Sequence, residues 1–356
     1  MVASTTADIQ EAARVDGNRL RPARTPAGRE AFYAELVSRN DGFIPAELQE
    51  CLRRATILVA GCGSVGGSVV ELLARMGAER FILADPEDYE LSNGNRQHAY
   101  LDDVGHNKAA CFRRKILAIN PWAEVHVESA GITAGNVAGL VVAADAVVDG
   151  VEVVVEAART AKCLLHLEAF RRRKPVVAGA DVAMAAMVRC YDYRRPGARY
   201  YNGLIREDQI GRITTTQFMT RDIPLWLYPV EMFGEVEKLL AGKPHFSQLG
   251  PTAQMLGAMM AQAVVGLLDG QPVRELVRVD LPTLFRPRGR RATVWLSWVR
   301  TVLRCLRLFL RVRRLGEDAL PGWKIGGNTG RSESPTAALD TWRRTAVGAC
   351  DAPEGR

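Results

Sequence analysis

The feature that most constrains this chain is a glycine-dense stretch, Gly61-Cys62-Gly63-Ser64-Val65-Gly66-Gly67. It stands directly behind the apolar run at 55–60 and ahead of a helical pattern at 69–76. A strand, a glycine turn and a helix in that order bring backbone N–H groups and the positive end of a helix to one point, which suits phosphate. Gly61, Gly63, Ser64, Val65 and Gly66 are therefore candidate nucleotide contacts. Asp85, 19 residues beyond Gly66, closes a second apolar run, where a carboxylate can accept hydrogen bonds from ribose hydroxyls. These residues alone say adenosine and leave the chemistry open, a dinucleotide-dependent oxidoreductase included.

Short apolar runs at 55–60, 80–85, 124–128, 144–149 and 175–179 alternate with helical patterns at about 107–119 and 153–170. That alternation predicts an α/β chain with a Rossmann-like, doubly wound, mostly parallel sheet. Further strands are expected at 187–193 and 273–280 as an antiparallel C-terminal extension, with flanking helices at 30–37, 45–54, 230–241 and 252–268. The polar stretch 196–222 is too long for a plain connector and reads as a lid that closes over a site.

Two clusters behind the second strand favour a triphosphate over a dinucleotide. Asn93-Gly94-Asn95-Arg96-Gln97 supplies an Arg fork with amides beside it, and Gly105-His106-Asn107-Lys108 supplies a Lys point charge. A pyrophosphate is served by a helix N-terminus alone, whereas the heavier charge of a triphosphate repays cations at its outer groups. His106 reads as an exposed loop residue. Cys62 needs only to be small for the turn, and Cys111, Cys163 and Cys190 read as core fillers.

Taken in order, the loop at Gly61 to Gly66, Asp85-Pro86-Glu87, Asn93 to Gln97, Gly105 to Lys108, Asn120-Pro121 and Asp149-Gly150-Val151-Glu152 resemble the motif series of the ThiF/MoeB-type family of ubiquitin-activating enzymes. The resemblance covers about residues 39–280. It implies an adenylyltransferase that activates a carboxylate with Mg-ATP. Asp85 would hold the ribose, with Asn93, Arg96 and Lys108 on the phosphates, and Glu87 and Gln97 would be further nucleotide contacts. Asp149 would lie beside the nucleotide, and Glu152 would hold the magnesium and support catalysis. Arg39, followed by Asn40, is similar to a family arginine that reaches a neighbouring subunit's phosphates, so a homodimer is implied. Glu87 and Glu152 each stand where the family has Asp, and the family's zinc-binding Cys pairs are absent. Residues 196–222 contain no Cys, so the expected reaction stops at the acyl-adenylate without a thioester. The carboxylate is expected on a small carrier protein or ribosomal peptide, in the manner of family members from peptide natural-product pathways. A tRNA-modifying dehydratase of the same fold and a catalytically inactive binding module are the other readings.

Charge is local. The chain carries 47 Lys and Arg against 40 Asp and Glu, but ten Arg and no acid fall between Pro282 and Leu315, and the remainder is slightly acidic. Nucleic acid is therefore not the expected partner, although tRNA stays open. Within 294–315, Arg300, Arg304, Arg307, Arg311 and Arg314 share one face of a helical wheel. An Arg face packed on its own domain or dimer partner, an interfacial helix on an anionic membrane surface, and a dock for an acidic partner all fit. No long uninterrupted apolar run or signal peptide is read, and 7 scattered Cys without any Cys-x-x-Cys suit a reducing cytoplasm. The expected organisation is a disordered segment at 1–27, an adenylation domain at 28–281, an Arg-rich helical extension at 282–320 and a loose tail at 321–356.

Overall fold

The computed structural model describes residues 14–16, 19–21, 28–224 and 246–285 throughout, together with scattered positions in 227–238 and 287–310. A small antiparallel ribbon, Arg14–Asp16 with Arg19–Arg21, precedes the main body. The rest of 1–27, the tail at 321–356 and most of the Arg-rich extension lie outside the described residues.

The main body begins with helices α1 (Arg29–Leu36) and α2 (Ala46–Arg54). Strand β1 (Thr56–Ala60), helix α3 (Gly66–Arg75) and strand β2 (Arg80–Ala84) form the first wound unit. Helix α4 (Lys108–Ile119), strand β3 (Glu124–Glu128), helix α5 (Val137–Ala143) and strand β4 (Ala146–Asp149) follow. Helix α6 (Glu156–Arg171) leads to strand β5 (Val176–Val182), which turns into strand β6 (Ala185–Tyr191). Helices α7 (Thr215–Asp222) and α8 (Gly250–Leu268), strand β7 (Leu276–Asp280) and the short α9 (Leu281–Phe285) complete it.

The seven strands lie in the order β3-β2-β1-β4-β5-β6-β7; the first five are parallel, and β6 and β7 add antiparallel. The expected Rossmann-like sheet is present, with its antiparallel extension. Side chains alternate across β1. Ile57 and Val59 enter a core with α3, α4 and α8, while Leu58 and Ala60 enter a second core with α5 and α6. Both faces are thus covered, which is why these strands read as unbroken apolar runs. Helix α8 is long and apolar enough, by length and composition, to cross a membrane. Its buried residues, among them Leu256, Gly257, Met260 and Val264, instead pack on α3 and the sheet. Gly257 makes that approach possible, since a Cβ there would meet the Ser68 Cβ at 2.5 Å.

The segment 196–222 corrects the expectation of a lid. Tyr200, Tyr201, Ile205, Ile210, Ile213 and Phe218 are buried in the second core. Tyr200 Oη donates to the Cys163 carbonyl at 3.1 Å, and Arg159 bonds both the Ile213 carbonyl and the Thr215 hydroxyl at 2.8 Å. Aromatic and β-branched residues among the polar ones convert a long loop into part of the body.

Candidate active site

In a doubly wound sheet the ligand crevice opens at the carboxyl ends of the strands where the winding reverses, here between β1 and β4. The glycine loop lies there and is held by backbone contact. Gly61 has φ +81°, and a Cβ on it would meet the Gly150 carbonyl oxygen at 2.6 Å. A Cβ on Gly150 would in turn meet the Gly66 nitrogen at 2.7 Å. Gly63 differs: its nearest neighbour is the Gln97 amide at 3.8 Å, so this part of the loop keeps room for a ligand. Val65 caps α3, and the nearly buried Ser64 accepts from the Ser68 hydroxyl through its carbonyl at 2.8 Å.

Asp85 is buried beside the loop. One carboxylate oxygen accepts from the Cys62 N–H at 2.5 Å and the other from the Glu87 N–H at 2.8 Å, which leaves lone pairs for ribose hydroxyls. Burial pushes its carboxyl up, with Lys108 pulling the other way. Asn107 caps α4 and ties it to the Asp85 carbonyl at 2.9 Å, which sets Lys108 at the first position of the helix. Lys108 is 5% exposed in its side chain and donates to Glu87 at 2.6 Å, while the Glu87 side chain is 62% exposed.

Asn93 folds the 3₁₀ turn Leu91–Asn95, its side-chain oxygen accepting from the Glu90 N–H at 3.1 Å. The turn delivers Arg96, whose Nη1 bonds the Ser92 carbonyl and the Asn95 amide oxygen but whose Nε is buried without a partner. Gln97 Oε1 is likewise buried and unpartnered. Burial lowers the Arg96 pKa, offset in part by Asp181 and Glu90. The Arg96 Nε–H is a buried donor that a polyanion at this loop would satisfy, whereas Gln97 Oε1 accepts and calls for a hydroxyl or other donor.

Glu152 reaches solvent at the turn after β4. The walls of the crevice desolvate its carboxylate and Glu87 adds like charge, so its pKa is raised, with Lys108 acting in the opposite sense. Among the described residues no three His, Cys, Asp or Glu side chains form a ready metal cage. Glu152 with Glu87 near it suits magnesium, which takes one or two carboxylates and completes its shell with phosphate oxygens and water.

Two expected contacts are placed elsewhere. Asp149 is fully buried, and its oxygens are taken by Lys162 at 2.6 Å, His166 at 2.8 Å and the Val151 N–H at 3.1 Å. It holds the turn leading to Glu152 and has no surface for a ligand. Burial alone would raise its pKa; Lys162 and His166 outweigh this and leave it below the usual range. Arg39 is exposed near the far end of α3, where the neighbouring Asn40 bonds the Met76 carbonyl at 3.0 Å. It makes no ion pair among the described residues and stands apart from the crevice of its own chain.

One acid escaped the sequence reading. Asp181 lies two residues past Gly179, whose backbone abuts Val65, and so faces the same side of β5. It accepts from Gln248 Nε2 at 2.8 Å and from the Ser64 hydroxyl, and the Gln248 carbonyl accepts from Asn95 at 3.0 Å. Burial raises its pKa, the Gln248 and Ser64 bonds and Arg96 opposing. The signal was present: β5 runs to Val182, three residues beyond the expected end, so Asp181 is a strand-end acid beside the loop.

Fold and site define an α/β protein with a glycine loop at the strand-end crevice of a doubly wound sheet. Comparison with known families narrows this: residues 37–293 match the ThiF family, and the chain belongs to it. It is 43% identical over 89 residues to the tRNA threonylcarbamoyladenosine dehydratase of Bacillus subtilis (strain 168), covering 25% of this chain and 35% of that one. It is 27% identical over 198 residues to adenylyltransferase and sulfurtransferase MOCS3 of Drosophila yakuba, covering 54% of this chain and 42% of that one. The crystal structure of selenomethionine PaaA superposes with a TM-score of 0.52 at 20% identity, covering 75% of each chain, and shares the fold. The chain spans well under half the length of either of these two relatives.

Proposed function

We propose that this protein uses Mg-ATP to adenylate a carboxylate, carried by a peptide or small carrier protein, and releases pyrophosphate. The observation that carries the reading is the gathering of Asp85, Glu87, Lys108, Arg96, Gln97 and Glu152 around one glycine loop at the strand ends, with the Arg96 Nε–H donor unpartnered. Asp85 holds the ribose. The loop N–H groups and the start of α3 face the phosphates, and Lys108 and Arg96 take up charge on them. A carboxylate oxygen of the substrate forms a bond to the α-phosphorus, the bond from that phosphorus to the bridging oxygen breaks, and pyrophosphate leaves with the electron pair. Magnesium, held by Glu152 with help from Glu87, would neutralise phosphate charge. Fixed cations aimed at charge that develops in the transition state supply much of the rate.

Arg39 and the apolar surface residues Phe43 (89% exposed), Leu91, Tyr100 and Leu101 support a second copy of the chain completing the assembly. The 5 described cysteines are free, which suits a reducing, cytoplasmic setting. A second reading, dehydration of a tRNA-linked carboxylate through the same adenylate, is favoured by the match to the Bacillus dehydratase. Calorimetric titration tests the shared core: Mg-ATP is expected to bind and NAD is not, and Lys108→Ala and Arg96→Ala should lose ATP. NAD binding without ATP binding overturns the proposal. AMP release stimulated by unfractionated tRNA, and not by peptides ending in a free carboxylate, would select the second reading.

A further inference from the structure

The Arg-rich extension takes no part in the nucleotide crevice. Positions 296, 299, 302, 303, 306, 307 and 310 are helical. At these spacings Leu296, Val299, Leu303, Leu306 and Leu310 fall in one stripe. The four leucines of that stripe are each more than half exposed. This departs from an extension packed on its own domain, which would have covered them. On the sequence wheel Arg300, Arg304, Arg307, Arg311 and Arg314 run immediately beside the leucines, and Arg307 is exposed.

A leucine row facing water beside an arginine row asks for one partner that satisfies both. A second copy of the same helix would cover the leucines but bring two arginine rows together, and the stretch between Pro282 and Leu315 contains no Asp or Glu to relieve them. A bilayer surface rich in anionic headgroups takes the leucines at the acyl boundary and the guanidinium groups among the phosphates, with the Arg stems lying along the apolar layer. Trp295, Trp298 and Phe309 in the same stretch are residue types that settle at that depth. Burying this many arginines across the hydrocarbon would be too unfavourable, so the helix lies on the surface and does not span.

We infer that the helical positions described between 296 and 310, with the arginine row that the sequence sets beside them, form a peripheral docking element for an anionic lipid surface, independent of the nucleotide site. The test is sedimentation of the full chain with vesicles of phosphatidylcholine alone and of phosphatidylcholine with about a third phosphatidylglycerol. Partitioning is expected to rise at least about tenfold with the anionic lipid and to fall with added salt. Leu303→Gln/Leu306→Gln/Leu310→Gln and Arg304→Gln/Arg307→Gln/Arg311→Gln should each lose at least about tenfold while binding Mg-ATP as before, the ATP titration showing that both variants fold. Equal partitioning on the two vesicles, or unchanged binding in the leucine variant, overturns the inference. Binding of poly-glutamate without binding of vesicles overturns it in favour of an acidic polypeptide.

Discussion

Two lysine–carboxylate pairs of the same length, 2.6 Å, sit a few residues either side of the crevice, and they serve different ends. Lys108 with Glu87 lies at the mouth, where one partner is largely exposed and the pair can open to a polyanion. Lys162 with Asp149 is sealed, and His166 and the Val151 N–H also bond its oxygens. His166 in turn bonds the Tyr193 hydroxyl at 2.9 Å, which accepts from the Tyr201 N–H at 3.2 Å. The sealed pair therefore joins β4, α6 and the 196–222 segment into one block behind Glu152. Burial and satisfaction, more than residue type, separate a group that binds from one that holds.

The largest expected effect breaks the sealed pair. Asp149→Ala leaves Lys162 buried without its counter-charge, and chemical denaturation should show a loss of roughly 3–5 kcal/mol. A loss below about 1 kcal/mol would mean that water reaches this pair and that the contrast is false. Next comes Lys108→Ala, expected to lower nucleotide turnover by roughly a hundredfold or more with a much smaller change in stability. Stability loss comparable to Asp149→Ala would make Lys108 structural too.

A pH test sharpens the comparison further. Burial holds the His166 pKa below its ordinary value of 6.5 despite Asp149. Between its folded pKa and roughly pH 6.5 the unfolded chain binds a proton that the folded chain does not, so stability falls as pH drops below about 6.5. The raised carboxyls of Asp85, Glu152 and Asp181 act in the opposite sense at lower pH, so the measurement is the difference between wild type and His166→Gln. The wild type should lose more stability than the variant between pH 7 and 5; parallel curves would remove His166 from the account. The depressed Asp149 pKa adds a loss confined to more acid conditions, below roughly pH 4. The smallest effect is Glu87→Gln, expected to change stability by under about 1 kcal/mol while altering ATP affinity by several-fold.

The parallel strands were legible because buried parallel strands leave apolar runs and the glycine loop punctuates them. Helix α5 was missed: its seven residues, VAGLVVA, carry no polar face, and the Asn136 N-cap before them was not read. The placement of Arg96 and Lys108 near the glycine loop was legible because turn and cap chemistry fixes them locally, through Asn93 and Asn107. Asp149 was misread because its partners arrive from α6. The sequence held a hint, since Lys162 and His166 are four apart and share a helix face, but only the fold shows which face is buried. The lid expectation failed for a similar reason, Tyr200, Tyr201 and Phe218 being indistinguishable in sequence from surface aromatics.

Gly61, Gly66 and Gly150 meet backbone to backbone, so main chain alone fixes the spacing between the glycine loop and the turn that bears Glu152. An engineer retargeting this protein has no tolerance to exploit there. Diversity belongs across the crevice, at Asp181 and around Gln248, where side chains set the dimensions. On the proposed adenylation reading, a library built on those positions should change which carboxylate is accepted.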